Sequence, residues 1–453
     1  MSAARALLRE VRPTIALAAP LALAQLAQMT MSFVDVVMIG RLGPGAMAGT
    51  VLGSSIFFAL AIICLGVVSA VNPTVANAVG AGDEPAASRA TRQGLWLAAA
   101  LGVLLFVLFQ FAEPALLATG QTASSAALAA DYLQAIRWGI VPHLCFVALR
   151  GLCEGISRPR AVLAATAAAA LANAGLNWVL IFGNLGAPAL GVVGAGYASA
   201  IAMATMALSL GLYVHFAPAT RRFAVFQPRR PDPAALKSLF RLGWPIGIAF
   251  GLEAGLFAAA TLLIGRFGEV ALASHQVAIN AASVTFMVPM GIGLAASVRV
   301  GHAAGRGDRT GAALAGWAAV ALATAFMACA ALLFWLRPEW VVWIYTGHAA
   351  TPEVVRMAGL LLGVAAAFQI FDGVQVSLAG ALRGLKDTRG PMVISAIAYW
   401  LIGMGTAVAL GFALDGGALG IWWGLTAGLA AAALMLAFRF QRRAALAPEG
   451  MPA

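Results

Sequence analysis

The sequence predicts an all-α polytopic membrane protein with about twelve transmembrane helices in two six-helix lobes. Three observations predict this fold class: an apolar composition, a series of apolar segments long enough to cross a bilayer, and an internal repeat. Of the 453 residues, 62% are hydrophobic and 10% are charged, and the mean hydropathy is +0.91. Soluble chains average roughly 25% charged residues, so the composition excludes an ordinary soluble domain.

Apolar segments of about 20 residues, the length that spans hydrocarbon as a helix, follow one another along the whole chain. They begin near Thr14, Val51, Gly94, Leu133, Ala161, Gly191, Leu239, Val277, Ala312, Val355, Met392 and Ala418. Six fall in each half, and an even number returns each half to the side on which it started. We therefore expect both halves to insert in the same orientation, related by a pseudo-two-fold axis along the membrane normal.

The two halves also share sequence. Residues 38–43, MIGRLG, match residues 263–268, LIGRFG, at an offset of 225. At the same offset Pro20 corresponds to Pro245, Gly80 to Gly305, Gly82 to Gly307 and Asp83 to Asp308. At an offset of 229, Gly151 corresponds to Gly380 and Gly155 to Gly384. The chain is therefore predicted to contain two copies of one unit.

A proline- and arginine-rich stretch between the copies sets the predicted domain bounds. We expect an N-terminal lobe over residues 1–219, a cytoplasmic linker over 220–237 and a C-terminal lobe over 238–453, because proline and clustered charge interrupt a span. Of the 28 Lys and Arg residues, 23 lie at the termini or in the even-numbered connections. This positive-inside bias predicts an inner-membrane protein with both termini in the cytoplasm, and it accounts for the net charge of +11 without nucleic acid as a partner.

Three acidic residues lie inside the predicted spans, where an ionised group is costly and usually faces a bundle interior or a water-filled cavity. They are Asp35 in the first helix, Glu253 in the seventh and Asp372 in the tenth. The sequence therefore indicates that these three carboxylates bind a cation or a proton. Asp387, in the loop RGLKDTRG, is instead expected to be a solvated charge.

Polar side chains accompany these acids at helical spacing. Gln28 shares one face of the first helix with Asp35, and Asn173 and Asn177 lie one turn apart on the fifth helix. Such groups can hydrogen-bond a protonated acid or join it around a cation, although a purely structural seam between helices is the alternative. The candidates for substrate or cation binding are Gln28, Asn173, Asn177, Ser199, Gln276, Asn280, Phe368 and Gln375.

Three long motifs resemble one known family, the multidrug and toxic compound extrusion (MATE) transporters, and are most similar to its NorM branch. These motifs are SFVDVVMIGRLG, ASHQVAINAASVTFMVPMGIGLAASVRVGHAAGRGD and QIFDGVQVSLAGALRGLKDTRGP, in the order that the family has them. The resemblance covers nearly the whole chain. It implies a monomeric twelve-helix antiporter that expels amphipathic, often cationic drugs by alternating access, in exchange for Na⁺ or H⁺ and without a cofactor.

The resemblance also assigns roles to residues. Asp35 matches the acid of the family's N-lobe, with Asn173 and Asn177 beside it, while Glu253 and Asp372 match acids of the C-lobe that bind the coupling cation and would be the ligands of Na⁺. Gln276 and Asn280 match polar positions of the eighth helix. Where related proteins often have tyrosine four residues before the acid of the tenth helix, this chain has Phe368.

Two other functions are weighed against efflux. A lipid-linked oligosaccharide flippase of the same superfamily would share the architecture, but it is expected to need a cluster of intramembrane cations, for which Arg137 is the one evident candidate. A membrane-embedded enzyme would need a reactive constellation such as paired His and Asp. The five histidines are scattered along the chain, which favours a secondary transporter over an enzyme.

Overall fold

The apolar segments fold as helices because a chain in hydrocarbon must satisfy its backbone polar groups internally, and a helix does so within one segment. The computed structural model describes residues 3–227, 229–347 and 351–446, and these residues contain helices and no strand. Twelve of the helices are long and apolar enough to cross a membrane. Each predicted starting residue lies within one of them, so the helical fold class and the number of spans are confirmed.

The twelve helices follow in chain order. They are α1 (Arg9–Gly40), α2 (Pro44–Gly80), α3 (Glu84–Ala118), α4 (Ala123–Gly155), α5 (Pro159–Phe182), α6 (Gly191–Phe216), α7 (Pro233–Gly265), α8 (Glu269–Gly305), α9 (Arg309–Leu336), α10 (Pro352–Gly384), α11 (Arg389–Ala413) and α12 (Gly417–Ala445). Two short α-helices, Pro218–Arg221 and Pro338–Thr346, and a 3₁₀ helix, Asn184–Gly186, lie outside these spans in the described part of the chain.

Several spans change their winding along their length. A turn separates Pro44–Val68 from Val71–Gly80 within α2, and a 3₁₀ turn at Arg137–Gly139 interrupts α4. In α11 two π-helical stretches, Ala396–Gly403 and Ala409–Ala413, replace regular α-helix. The wider turns of a π-helix redirect side chains and often occur at functional sites. The first of these stretches carries Tyr399, which belongs to the site described below.

The residues form two compact units. The N-terminal unit runs from Ala24 to Gly247, and the C-terminal unit joins the described residues up to Leu23 with those from Ile248 onward. Both α1 and α7 are therefore divided between the units, at positions 23/24 and 247/248. The predicted bounds, 1–219, 220–237 and 238–453, do not include this division of α1 and α7, and they stay a prediction. Residues 1–2, 228, 348–350 and 447–453, which include both chain ends, lie outside the described residues.

The sequence repeat recurs in the backbone. Gly43 and Gly268 both have a positive φ, at 103° and 99°, before the second helix of each copy. The segments GAGD at residues 80–83 and GRGD at residues 305–308 agree as well, since Gly82 and Gly307 have φ angles of 76° and 73°. The following residues, Asp83 and Asp308, each accept a hydrogen bond from a backbone N–H three positions later, at 2.8 and 2.7 Å. Residues 80–83 and 305–308 thus form a helix-capping turn in each copy.

Glycine permits the closest helix contacts within each unit. A Cβ on Gly380 of α10 would collide with the backbone of Gly293 on α8. In the N-terminal unit, a Cβ on Gly243 of α7 would collide with the carbonyl of Val67 on α2. Small residues allow backbones to approach in this way, and the resulting packing holds membrane helices together where lipid provides no hydrophobic driving force.

The prediction that Asp387 is a solvated loop charge was wrong. Its side chain is only 8% exposed and accepts hydrogen bonds from Arg439 at 2.7 and 2.9 Å and from Arg443 at 3.1 Å. Both arginines lie near the end of α12, far from Asp387 in the sequence. The loop after α10 is therefore attached to α12 by a carboxylate shared between two guanidinium groups.

Candidate functional site

Asp35 is the centre of a polar cluster in the N-terminal unit. Its Oδ1 accepts a hydrogen bond of 2.5 Å from Asn177 Nδ2, and its Oδ2 accepts one of 3.0 Å from Ser199 Oγ. Asn177 Nδ2 also donates to Asn173 Oδ1 at 3.2 Å. The asparagines are fully buried on α5 and Ser199 is buried on α6. Helices α1, α5 and α6 thus bring four predicted residues together.

The two asparagines have unused hydrogen-bonding capacity. Asn173 Nδ2 and Asn177 Oδ1 are buried and have no hydrogen-bond partner among the described residues. Tyr132 of α4 is a neighbour of both Asp35 and Ser199 and is 5% exposed. Buried polar atoms are nearly always paired, so one free donor and one free acceptor beside a carboxylate are suited to binding water, an ion or a ligand.

In the C-terminal unit, Gln375 lies between two acids. Its Nε2 donates to Asp372 Oδ1 at 3.1 Å and to Glu253 Oε1 at 3.4 Å. Asp372 is buried on α10, and Glu253 is partly buried on α7. Because the tenth helix carries Asp372 and Gln375 three residues apart, both point to the same side, where Glu253 meets them. The predicted acid pair is present in one hydrogen-bonded group.

Two further residues act on this pair. The Tyr399 hydroxyl donates to Gln375 Oε1 at 3.0 Å, and Tyr399 is 1% exposed in the π-helical part of α11. Arg383, near the end of α10, is the cation that interacts electrostatically with Glu253, and its guanidinium lies 5.4 Å from the ring centroid of Phe250. The acid pair is therefore bordered by a phenol donor and by a positive charge.

A cluster of aromatic rings surrounds Phe368, one helical turn before Asp372. Phe368 is 1% exposed, and its ring lies 5.4 Å from that of Trp422 and 6.1 Å from that of Phe257, both edge to face. The Trp422 ring in turn contacts His275, which is fully buried and shares a 2.9 Å hydrogen bond with Thr261. Phe368 thus supplies hydrocarbon to the site and no oxygen.

Three candidate residues are not hydrogen-bonded to the acids. Gln28 places its Nε2 3.9 Å from the sulfur of Met206. Gln276 and Asn280 lie on an exposed face of α8. Their part in binding stays a prediction.

Sequence reasoning missed an ion pair inside the N-terminal unit. Arg150 Nε donates to Glu154 Oε1 at 2.6 Å, Asn72 donates to Glu154 Oε2 at 2.6 Å, and Arg150 Nη1 donates to Gln25 Oε1 at 2.9 Å. Glu154 is 2% exposed. The signal was an arginine and a glutamate four residues apart near the end of α4. The same reasoning passed over Tyr399 and Tyr132, although the whole chain has only five tyrosines.

The arrangement can bind a proton or a monovalent cation at each acid cluster. No group of three or more His, Cys, Asp or Glu side chains converges within the ranges that the structure describes. Two carboxylates in one group repel each other when both are ionised, so a proton or cation that neutralises one of them is favoured.

Comparison with known proteins gives matches over almost the whole chain. The family model described as MatE matches residues 20–179 and 245–408. Among curated proteins, a "Probable multidrug resistance protein NorM" of Rhizobium meliloti (strain 1021) is 40% identical over 435 residues, covering 95% of this chain and 93% of that protein. A protein described in the same words from Burkholderia mallei (strain ATCC 23344) is 41% identical over 441 residues, covering 96% and 94%.

Solved structures have the same fold. The eukaryotic MATE transporter AtDTX14 superposes with a TM-score of 0.87 at 21% identity, covering 98% of this chain and 99% of that one. A multidrug resistance MATE family transporter of the MOP superfamily, in an outward-facing conformation, superposes with a TM-score of 0.89 at 18% identity, covering 97% and 96%.

Proposed function

Because the chain belongs to the MatE family, we propose that it exports amphipathic, often cationic drugs in exchange for inward Na⁺ or H⁺ by alternating access. It is a multi-pass membrane protein and a multidrug efflux transporter. It is a secondary transporter and not an enzyme. We further propose that it works as a monomer in the inner membrane, surrounded by lipid, with both termini in the cytoplasm.

The single observation that carries the proposed exchange is the pair of acids joined through Gln375. A carboxylate in an apolar interior is neutralised by a proton, by a metal cation or by a cationic substrate, and simultaneous occupancy is opposed by charge repulsion. Binding one ligand therefore weakens binding of the other. If each ligand prefers a different conformation, an ion gradient drives export.

Asp35 provides a third acid, in a second cluster, for the same exchange. It is bonded to neutral donors only, from Asn177 and Ser199, and to no cationic side chain among the described contacts. A carboxylate without a permanent counter-ion remains able to take up a proton or a cationic drug. We propose that Asp35, Asn173, Asn177 and Ser199 bind one of these ligands in the N-terminal unit.

The placement of two intramembrane arginines favours efflux over a flippase. Arg137 lies over the ring of Phe106, 4.7 Å from its centroid. Arg150 is bonded to Glu154 and Gln25. A pyrophosphate group would need several cations free to bind it, and these two are already engaged by protein groups.

The test is efflux of ethidium from cells of a strain that lacks its own multidrug pumps. We expect cells producing the wild-type protein to lose ethidium in an energy-dependent manner. Cells producing a Glu253→Gln, Asp372→Asn double variant in equal amount should not do so. A matched control is Asp131→Asn, which changes an exposed acid in α4. Full gradient-dependent export by the double variant would refute the proposed role of the pair.

A further inference from the structure

Gln375 faces the acid pair with its donor end. Both hydrogens of its Nε2 are used, one toward Asp372 Oδ1 and one toward Glu253 Oε1. Ionised carboxylates only accept hydrogen bonds, so this orientation is the one that satisfies all three groups. One oxygen of each carboxylate thereby accepts a hydrogen bond from the same amide nitrogen, which bridges the two acids.

Tyr399 fixes that orientation from the opposite side. Its hydroxyl donates to Gln375 Oε1, so rotating the amide to present its oxygen to the acids would break this bond. Tyr399 and Gln375 are 1% and 3% exposed, so water does not readily replace the lost partner. Rotation would leave the phenol hydrogen without the acceptor it now has, and an unpaired buried donor is costly, so the amide keeps its nitrogen on the acids.

Two other side chains of α10, Phe368 and Gln369, do not offer the acid pair an oxygen in place of that of Gln375. Phe368, one turn before Asp372, carries none. Gln369 has its oxygen bonded to the hydroxyl of Thr285 at 2.9 Å, while its Nε2 has no partner among the described residues. Both glutamines of α10 thus have their oxygens on hydroxyl donors.

A proton and Na⁺ make different demands on this group. Hard metal cations are bound by several oxygen ligands, and Gln375 can supply its oxygen as one of them only by rotating. A proton needs one carboxylate oxygen, and the protonated acid still accepts the amide hydrogen bond at its other oxygen. The existing hydrogen bonds therefore persist when a proton binds, whereas the bonds of the Gln375 amide are lost when it turns its oxygen to Na⁺.

The charged and titratable groups around the pair come from three helices. Arg383 of α10 interacts with Glu253, and Tyr399 of α11 interacts electrostatically with both acids. The helix α8 brings His275 to Thr261 of α7. Within their spans, α9 and α12 contain no acidic residue and no histidine. Glu253 and Asp372 are thus the carboxylic acids of this cluster among the described residues.

We propose that Tyr399, acting through Gln375, is a positioning residue that makes the C-terminal acid pair selective for H⁺ over Na⁺. This inference rests on the proposed exchange and specifies its ion. Removing the phenol hydroxyl frees the amide to rotate and to give its oxygen to a metal cation. Tyr399→Phe should therefore admit Na⁺ to a site that otherwise takes protons.

The experiment measures ethidium uptake into proteoliposomes containing the purified full-length protein. One preparation has an acidic interior and no Na⁺, and another has Na⁺ inside at equal pH, with choline as the replacing cation. We expect the wild-type protein to respond to the pH gradient and not to Na⁺. In Tyr399→Phe, the Na⁺ gradient should raise the initial rate roughly two- to tenfold, the change in equilibrium that the loss of one net hydrogen bond corresponds to.

Tyr213→Phe, the same change in a partly buried tyrosine of α6, is the matched control and should behave as wild type. Equal driving of the wild-type protein by Na⁺ and by the pH gradient would overturn the inference, as would a folded Tyr399→Phe protein that gains no Na⁺ response. A wild-type protein that responds to neither gradient would defeat the proposed exchange itself, and this inference with it.

A second measurement needs no variant. Purified wild-type protein is heated at constant ionic strength while choline is replaced by Na⁺. The unfolding midpoint should not move, because the site takes no Na⁺. A saturable rise of the midpoint with Na⁺ concentration would report binding to the folded state and would contradict the proposal.

Discussion

Asn177 donates a 2.5 Å hydrogen bond to Asp35 across the helices α5 and α1. The same nitrogen also donates to Asn173, so one amide holds two otherwise unpaired acceptors. Asn177→Ala should lower the free energy of unfolding by about 1–3 kcal/mol, because buried polar groups lose their donor. Thermal unfolding in detergent measures this. Asn184→Ala, which removes an exposed bond to a backbone carbonyl, should change stability by about 0.5 kcal/mol or less. Equal midpoints for the two variants would contradict the assignment.

The ion pair of Arg150 and Glu154 predicts a large cost when one partner is removed. Arg150→Met leaves Glu154, 2% exposed, without its cation, and should destabilise the protein by about 3–5 kcal/mol. Replacing both residues by leucine should recover most of this loss, since an apolar pair leaves no uncompensated charge.

The exposed pair of Arg222 and Glu84, 2.8 Å apart, provides the comparison. Arg222→Ala should change stability by about 1 kcal/mol or less, because water screens this pair. Unfolding midpoints of the single and double variants in one detergent decide the outcome. If the double variant is no more stable than Arg150→Met, the charge is not the cause of the loss.

Replacing glycine by alanine should have opposite effects on stability at two positions of α10, Gly380 and Gly363. A methyl group on Gly380 meets the backbone of Gly293, which cannot move as a side chain can, so Gly380→Ala should cost about 1–3 kcal/mol. Gly363, on the same helix, has no atom within 4 Å of the added carbon. Gly363→Ala should therefore stabilise the helix by about 0.5–1 kcal/mol. Yield and unfolding midpoint of both variants test the contrast, which fails if they shift in the same direction.

Asp387 should contribute to stability through charge. In Asp387→Asn, Arg439 and Arg443 lose their shared anion, and we expect a loss of about 1.5–3 kcal/mol that shrinks as salt is added. Asp308→Asn is the matched change at the turn before α9, where asparagine caps a helix as well as aspartate does. Comparison of the two variants at low and high ionic strength measures the effect. A salt-independent loss at Asp387 would indicate shape rather than charge.

Features that repeat or that are costly in lipid were predictable from the sequence. Twelve apolar segments gave twelve helices, since segment length and hydropathy are local properties. The carboxylates of Glu253 and Asp372 were recognisable because an acid in a span is rare. That both bond to Gln375 was not determined by either helix alone, because it depends on how α7 and α10 are rotated against each other.

Contacts between distant segments escaped prediction for the same reason. Tyr399 has no acidic or basic neighbour in the sequence, and its hydroxyl meets Gln375 from a π-helical stretch of α11 that the sequence did not predict. Asp387 was misjudged because its partners lie 52 and 56 residues away. A charge in a polar loop has the same sequence pattern whether it is solvated or paired.

The division of α1 and α7 between the two units has a consequence for cutting the gene. A fragment of residues 24–247 contains the whole N-terminal unit. A fragment of residues 248–453 lacks the segment up to Leu23 that completes the C-terminal unit. If the chain is instead divided at the predicted linker and the two halves are synthesised separately, each half carries a segment that belongs to the unit of the other half. Such halves should accumulate only when produced together, as complementing parts.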